Sequence, residues 1–229
     1  MTAPSPETLS LIQKAGSFLL FANGSYEEPA WFKKIASRFD CLVGVDGGAH
    51  FLLENDLAPH LVVGDLDSLR PEALKSLEGK ALIHRDPDQN TFDLEKALLL
   101  ILKHSDKKIV IAGATGGRFD HALANLMLLS RFTDRDIRLV DATQELFFIS
   151  PDKSSEKNSW TAPLGTAVSL LPLGEVKGVR SSGLRYECRD LDMVHTGLIG
   201  SSNEMSLPEA NVSIHTGTLA LIVSRGRSF

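Results

Sequence analysis

Three times in the first 120 residues an apolar run stops at a glycine or an aspartate: Val43-Gly-Val-Asp46-Gly-Gly48, Val62-Val-Gly-Asp65-Leu-Asp67-Ser68 and Ile109-Val-Ile-Ala-Gly-Ala-Thr-Gly-Gly117. Each run is short enough for a buried strand, and helical stretches lie between them. Strands are predicted at Ser17–Ala22, Cys41–Val45, Leu61–Val63, Ala81–His84, Lys108–Ala112 and Ile137–Val140. Helices are predicted at Pro29–Arg38, Ala49–Asn55, Pro71–Leu77, Leu94–Leu102 and Phe119–Phe132, with Asn90 or Thr91 available as a cap before the fourth. Strands that alternate with helices make βαβ units and a parallel sheet. Such sheets bind ligands beyond the carboxyl ends of their strands, so Asn23, Asp46, Asp65 and Thr115 are expected along one edge.

After about Ser150 the character changes. Pro151–Ser159 is polar and lysine-rich, as a linker would be, and no long helical period follows. Short strand-like runs take over at Thr166–Leu171, Gly178–Val179, Leu184–Cys188, Val212–His215 and Leu219–Val223, separated by Gly, Ser, Pro or Asn. That spacing predicts a small antiparallel sandwich or barrel of roughly 70 to 80 residues. The expected class is therefore an α/β domain with a parallel sheet over residues 1–150, followed by a smaller all-β sandwich over 151–229.

Charge narrows the possible partners. Lys and Arg number 24 against 29 Asp and Glu, a net charge of −5, which disfavours nonspecific binding to nucleic acid. No apolar run is long enough for a membrane span. The first residues, Met-Thr-Ala-Pro-Ser-Pro-Glu, lack the basic and apolar regions of a secretory signal, so a cytoplasmic location is expected. Cys41 and Cys188 are far apart, outside any C-x-x-C spacing, and the seven histidines form no i, i+4 pairs, so neither a disulfide framework nor a zinc site is indicated.

Hard-cation chemistry is better supplied. Asp65 and Asp67 follow a strand in a turn, where both can aim oxygens at one ion, and magnesium usually takes one or two carboxylates together with waters and phosphate oxygens. The competing structural reading is that one of them caps the helix after Ser68. Asp93 sits at a helix start leaving the same edge, as a possible third carboxylate, though Asp88, Asn90 and Asp93 all suit a helix N-terminus on electrostatic grounds alone. Gly113-Ala-Thr-Gly-Gly-Arg118 has the physical traits of a phosphate loop, with exposed N–H groups, a following helix and a guanidinium, but it is neither a Walker A loop nor G-x-G-x-x-G. Asp120 and His121 can be helix-start and core residues, and Gly200-Ser-Ser-Asn-Glu204 reads as a polar turn.

In succession, Val-Asp46-Gly-Gly, Gly64-Asp-Leu-Asp-Ser68, Asp88-Gln-Asn-Thr-Phe-Asp93-Leu-Glu-Lys-Ala-Leu, Gly113-Ala-Thr-Gly-Gly-Arg-Phe-Asp-His121 with Asn125, and Ser-Ser-Asn203 resemble thiamine pyrophosphokinase across nearly the whole chain. The resemblance implies transfer of a pyrophosphoryl group from ATP to the hydroxyl of thiamine, giving AMP and thiamine diphosphate. It also implies a homodimer with active sites between subunits. It places magnesium on Asp65, Asp67 and Asp93, ATP against Asn23, Gln89, Thr115 and Arg118, thiamine against Ser202 and Asn203, and acids facing the reacting groups at Asp46 and Asp120. One departure stands out: many relatives have Asp-x-Thr-Asp where this chain has Asn90-Thr91-Phe92-Asp93. Trp160 and Tyr186 are the aromatic residues available to stack on thiamine, although core or surface roles suit both. The alternatives are another magnesium-dependent nucleotide kinase or phosphohydrolase using the same acidic edge, or a sensor that binds without turnover.

Overall fold

The computed structural model describes residues 2–151 and 158–224. Most of the polar stretch expected as a linker lies outside these residues. By the density of their internal contacts the residues form two compact units, Met1–Leu128 and Leu129–Phe229.

In the first unit the order is α1 (Pro6–Lys14), β1 (Ser17–Phe21), α2 (Pro29–Ala36), β2 (Cys41–Val45), α3 (Gly48–Glu54), β3 (Leu61–Gly64), α4 (Pro71–Leu77), β4 (Leu82–Arg85), α5 (Asp93–Leu102), β5 (Lys108–Ala112) and α6 (Phe119–Leu129). Strand order is β5-β1-β2-β3-β4, and every neighbouring pair is parallel. Parallel neighbours need crossover connections, and helices on the sheet faces bury the strands on both sides. The strand residues reflect this: Phe18, Leu19, Leu20, Phe21, Val43, Leu61, Val62 and Val63 are all buried. Helix α5 buries Leu94, Ala97, Leu98, Leu100 and Ile101, more than one face of the helix.

Helix α1 was not anticipated. Its signals are local, since the Ser5 hydroxyl accepts from the Thr8 N–H and Pro6 opens the first turn. The cap expected from Asn90 or Thr91 does not form. Phe92 is the N-cap of α5, with no side-chain hydrogen bond to the helix, while Asn90 and Thr91 bond to Asp88. The helix expected over Phe119–Phe132 ends at Leu129 and continues as a 3₁₀ turn, Ser130–Phe132.

The second unit holds β6 (Ile137–Val140), β7 (Gln144–Ile149), β8 (Ser159–Thr161), β9 (Ala167–Pro172), β10 (Glu175–Ser182), β11 (Arg189–Val194), β12 (Gly200–Glu204), β13 (Glu209–Ser213) and β14 (Leu219–Ser224). Its strands fall in the orders β12-β9-β14-β7-β6 and β11-β10-β13-β8, with antiparallel pairing. Phe147, Ile149, Val168, Val176, Val212 and Leu221 share one apolar core with Trp160. Two expectations are corrected here. Leu184–Cys188 is not a strand, because Leu184 makes only an isolated bridge to Met205, and Gly200–Glu204 is a strand paired with β9 rather than a free turn. Its polar sequence hid it, since a strand with only Asn203 buried carries no apolar alternation.

The α/β unit depends on close approach of α3 to the sheet. A Cβ at Gly48 would collide with the Phe21 carbonyl of β1, an immovable backbone atom. Gly48→Ala should therefore lower stability by about 1–3 kcal/mol through overpacking; an unchanged urea midpoint would contradict this packing.

Candidate active site

The carboxyl ends of the parallel strands open into a cleft of about 630 Å³, within the usual range for ligand sites. Asn23 follows β1, Asp46 follows β2, Asp65 and Asp67 follow β3, and Gln89 and Asp93 lie between β4 and α5; all line the cleft. The glycine loop after β5 contributes Gly113, Ala114, Gly116, Gly117 and Arg118. Thr115 and Asp120, expected at the site, are not among the lining residues, whereas His121 and Asn125 are.

Neither Asp65 nor Asp67 caps a helix. Helix α4 begins after Arg70 with no side-chain cap, so the structural alternative is overturned. Asp65 instead accepts from the Asp67 N–H at 3.2 Å and from Gln89 Nε2 at 2.7 Å. Burial pushes the Asp65 carboxyl up, but those hydrogen bonds and the nearby Lys96 charge outweigh it and hold the group below the usual carboxylate range. It is a carboxylate at neutral pH.

Oxygens of Asp46, Asp65 and Asp67 lie within 4.8 Å of one another, the set of acids among the described residues that converges in this way. Asp46 is only 5% exposed, and its Oδ1 is buried without a hydrogen-bond partner. A buried charge without a partner is costly, so an oxygen left in that state at a cleft is suited to a cation. Its backbone is fixed in the left-handed region at φ 45°, clamped by Asp46 N–H to Val63 O and Ala49 N–H to Asp46 O. Aspartate tolerates that conformation better than most residues, and such strain is concentrated at functional sites.

Asp93 is engaged differently. Its Oδ1 accepts from Lys96 Nζ at 2.9 Å and from the Asp65 N–H at 3.2 Å. Lys96, with 2% exposure, is a fixed internal cation within the acidic edge, and Asp93 holds it protonated. Sequence reading missed Lys96 as a site residue; the available signal was a lysine three positions after an acid in an otherwise apolar helix.

Tyr26 was missed too. Its ring stacks on Phe51 with centroids 3.9 Å apart, and its hydroxyl donates to Ala22 O at 2.5 Å. Gly113, at φ 67°, packs so closely that a Cβ there would strike the Tyr26 ring. The glycine loop thus rests on an aromatic ring, and Asn125 Nδ2 donates to Ala114 O at 3.0 Å. Arg118 pairs with Asp120 at 2.6 Å, both largely exposed. Hydrogen bonding from Arg118 holds the Asp120 carboxyl at about 2, too weakly basic to take a proton efficiently near neutrality.

In the second unit Asn203 is buried on β12. Its Oδ1 accepts from the N–H groups of Tyr186 and Glu204, and its Nδ2 donates to Tyr186 O at 2.8 Å. Both ends of the amide are therefore occupied, and they fix the backbone of Tyr186, a residue 63% exposed. Ser202 is exposed and adopts φ 61° beside it. Trp160 is excluded as a stacking residue, since it is buried edge-on against Phe147 in the sandwich core.

Two family models match in tandem: Thiamin pyrophosphokinase, catalytic domain, over residues 32–140, and Thiamin pyrophosphokinase, vitamin B1 binding domain, over 151–220. The chain belongs to the thiamin pyrophosphokinase family. It is 32% identical over 154 residues to thiamine pyrophosphokinase 1 of Oryza sativa subsp. japonica, covering 63% of this chain and 58% of that protein. The match thus spans less than two thirds of the plant protein's length. Thiamine pyrophosphokinase of Bacillus subtilis is 28% identical over 190 residues, 80% of this chain and 86% of that one. Among solved structures, thiamin pyrophosphokinase from Geobacillus thermodenitrificans superposes with a TM-score of 0.76 at 26% identity, covering 93% of this chain and 99% of that chain. The α/β unit followed by an all-β unit is accordingly the fold of this family.

Two measurements test the electrostatics of the acidic edge. Lys96→Met leaves Asp93 without its buried partner and should cost about 3 kcal/mol of stability in urea unfolding; a neutral effect would show that Lys96 is dispensable. Because the folded Asp65 carboxyl titrates below its unfolded value, its contribution is present above pH about 4 and lost as the pH falls through the folded value. Asp65→Asn should therefore flatten the acid limb of the stability curve below that pH.

Proposed function

We propose that this protein transfers a pyrophosphoryl group from ATP to the hydroxyl of thiamine, releasing AMP and thiamine diphosphate. The observation that carries the reading is the convergence of Asp46, Asp65 and Asp67 on one point of the cleft, with Asp46 Oδ1 left unpartnered beside a glycine loop. Membership of the thiamin pyrophosphokinase family supports it.

The donor set fits magnesium, which prefers oxygen ligands. Asp46, Asp65 and Asp67 would hold it, with Asp93 contributing through its bond to the Asp65 backbone rather than as a third ligand of equal standing. Bound there, the ion would neutralise charge that develops on the phosphate oxygens.

The remaining work falls to the chain's own groups. Amides of the glycine loop and the Arg118 fork bind the triphosphate, which requires the exposed Arg118–Asp120 pair to open. Such a surface pair is weak enough to exchange one anion for another. Asp120 holds Arg118 at the loop until the triphosphate takes its place. Gln89, bonded to Asp65, and Asn23, packed against Gly47, close the two sides of the nucleotide site. Thr115 contributes to this reading only through the loop whose neighbours line the cleft. Transfer of this kind depends mostly on positioning and electrostatics, with no strong base required.

In the second unit, Ser202 and Tyr186, whose backbone Asn203 holds, form the surface assigned to thiamine, and a cytoplasmic homodimer with sites between subunits completes the proposal. Asn203→Ala should act by releasing Tyr186, raising the thiamine KM more than the ATP KM.

Asp67→Asn removes a charge at nearly constant shape from an exposed position. It should abolish magnesium-dependent AMP release with thiamine while leaving the unfolding midpoint unchanged. Wild-type kinetics at saturating magnesium would refute the metal assignment, and ADP or phosphate as product would favour a kinase or hydrolase.

A further inference from the structure

Phe92 lines the cleft with 58% of its surface exposed, at a position where neither the helix nor the core makes use of the ring. It is the N-cap of α5 yet supplies no capping bond, so the first turn forgoes roughly 1 kcal/mol that Ser, Thr, Asn or Asp would contribute. The preceding hydroxyl is already committed, since Thr91 Oγ1 donates to Asp88 at 2.7 Å. An exposed aromatic residue at the rim of a ligand cleft, placed there at some cost to the helix, is better explained by what enters the cleft.

The surroundings select the ligand's charge. Phe92 precedes Asp93, whose carboxylate accepts from the Asp65 N–H, and Asp46 and Asp67 line the same cleft. The face of a phenyl ring is itself electronegative. A cationic heteroaromatic ring is attracted by that face, whereas a neutral purine gains only stacking, and the neighbouring acids are already committed to Lys96 and, on the proposed reading, to the magnesium ion.

Chemistry places such a ring here, on the reading that the site pyrophosphorylates thiamine. The attacking hydroxyl must reach the phosphate at the acidic strand ends, and only a two-carbon arm separates that hydroxyl from the thiazolium. The adenine is farther removed, beyond the ribose and the α-phosphate. We infer that Phe92 is a specificity-determining residue that holds the thiazolium cation of thiamine against its ring face.

Steady-state kinetics on the intact protein test this, with Phe92→Leu, which keeps apolar bulk and loses the π face, and Phe92→Trp, which strengthens it. Phe92→Leu should raise the thiamine KM about three- to tenfold, the range of a partly desolvated cation–aromatic pair, with the ATP KM unchanged. Phe92→Trp should hold the thiamine KM at or below the wild-type value. A competitive inhibitor in which a neutral thiophene replaces the thiazolium should bind the wild type and the leucine variant equally. Three results would overturn the inference: a rise in the ATP KM alone, which would assign the ring to the nucleobase; an unmoved thiamine KM; or equal losses for thiamine and the neutral analogue, which would reduce the contact to apolar packing. Absence of AMP formation by the wild-type protein would overturn the transfer reading, and this inference with it. Normal wild-type turnover with an unmoved thiamine KM in Phe92→Leu would overturn this inference alone.

Discussion

Parallel pairing is the constraint on which the first unit depends. Each strand of β5-β1-β2-β3-β4 must be followed by a return through a helix, so all five deliver their carboxyl ends to one edge. Three of those ends carry aspartates or lead to them, and a fourth leads to the glycine loop. The resulting concentration of like charge would oppose folding if nothing offset it. Lys96 does so from within, as a buried ammonium bonded to Asp93 and close enough to Asp65 to lower its proton affinity. Asp46 receives no such compensation at Oδ1, which leaves one strong acceptor free for a cation.

The loops at this edge are held by means that differ with their task. Asp46 is fixed by backbone bonds to β3 and α3 in a conformation most side chains avoid, and its side chain is buried. The glycine loop packs at Gly113 against Tyr26, whose ring stacks on Phe51. Preorganisation of this kind suits phosphoryl chemistry, where rate comes from placing fixed charges and dipoles correctly rather than from strong acids or bases. The low proton affinity of Asp120 agrees with that division of labour.

The second unit handles its polar residues by local satisfaction. Asn203 uses both ends of its amide on the backbone of Tyr186 and Glu204, turning a buried polar side chain into a bracket for the backbone of an exposed residue. Trp160, the other aromatic candidate, serves the core beneath. Burial alone separates the two roles, and burial is a property of the assembled sandwich.

What the sequence determined by itself was the order of the elements and the identity of the edge. The apolar runs, the interrupting Gly, Pro and Asp residues and the helical periods between them placed β1 to β5 within a residue or two, because a buried parallel strand is a continuous apolar run and needs no partner to be seen; Ile137–Val140, expected with them, pairs antiparallel with β7 in the second unit. Asp65, Asp67, Asn23 and the glycine loop were legible for the same reason, since they terminate those runs. The tertiary structure decided how the acids share their work. Asp46 joined Asp65 and Asp67, and Asp93 turned to Lys96, because convergence depends on loop conformation and on which carboxylate a buried cation reaches first. It also decided that Gly200–Glu204 is a strand, that Tyr186 rather than Trp160 is exposed, and that Phe92 stands at the cleft rim. Each outcome follows from long-range pairing or burial, which spacing along one chain does not encode.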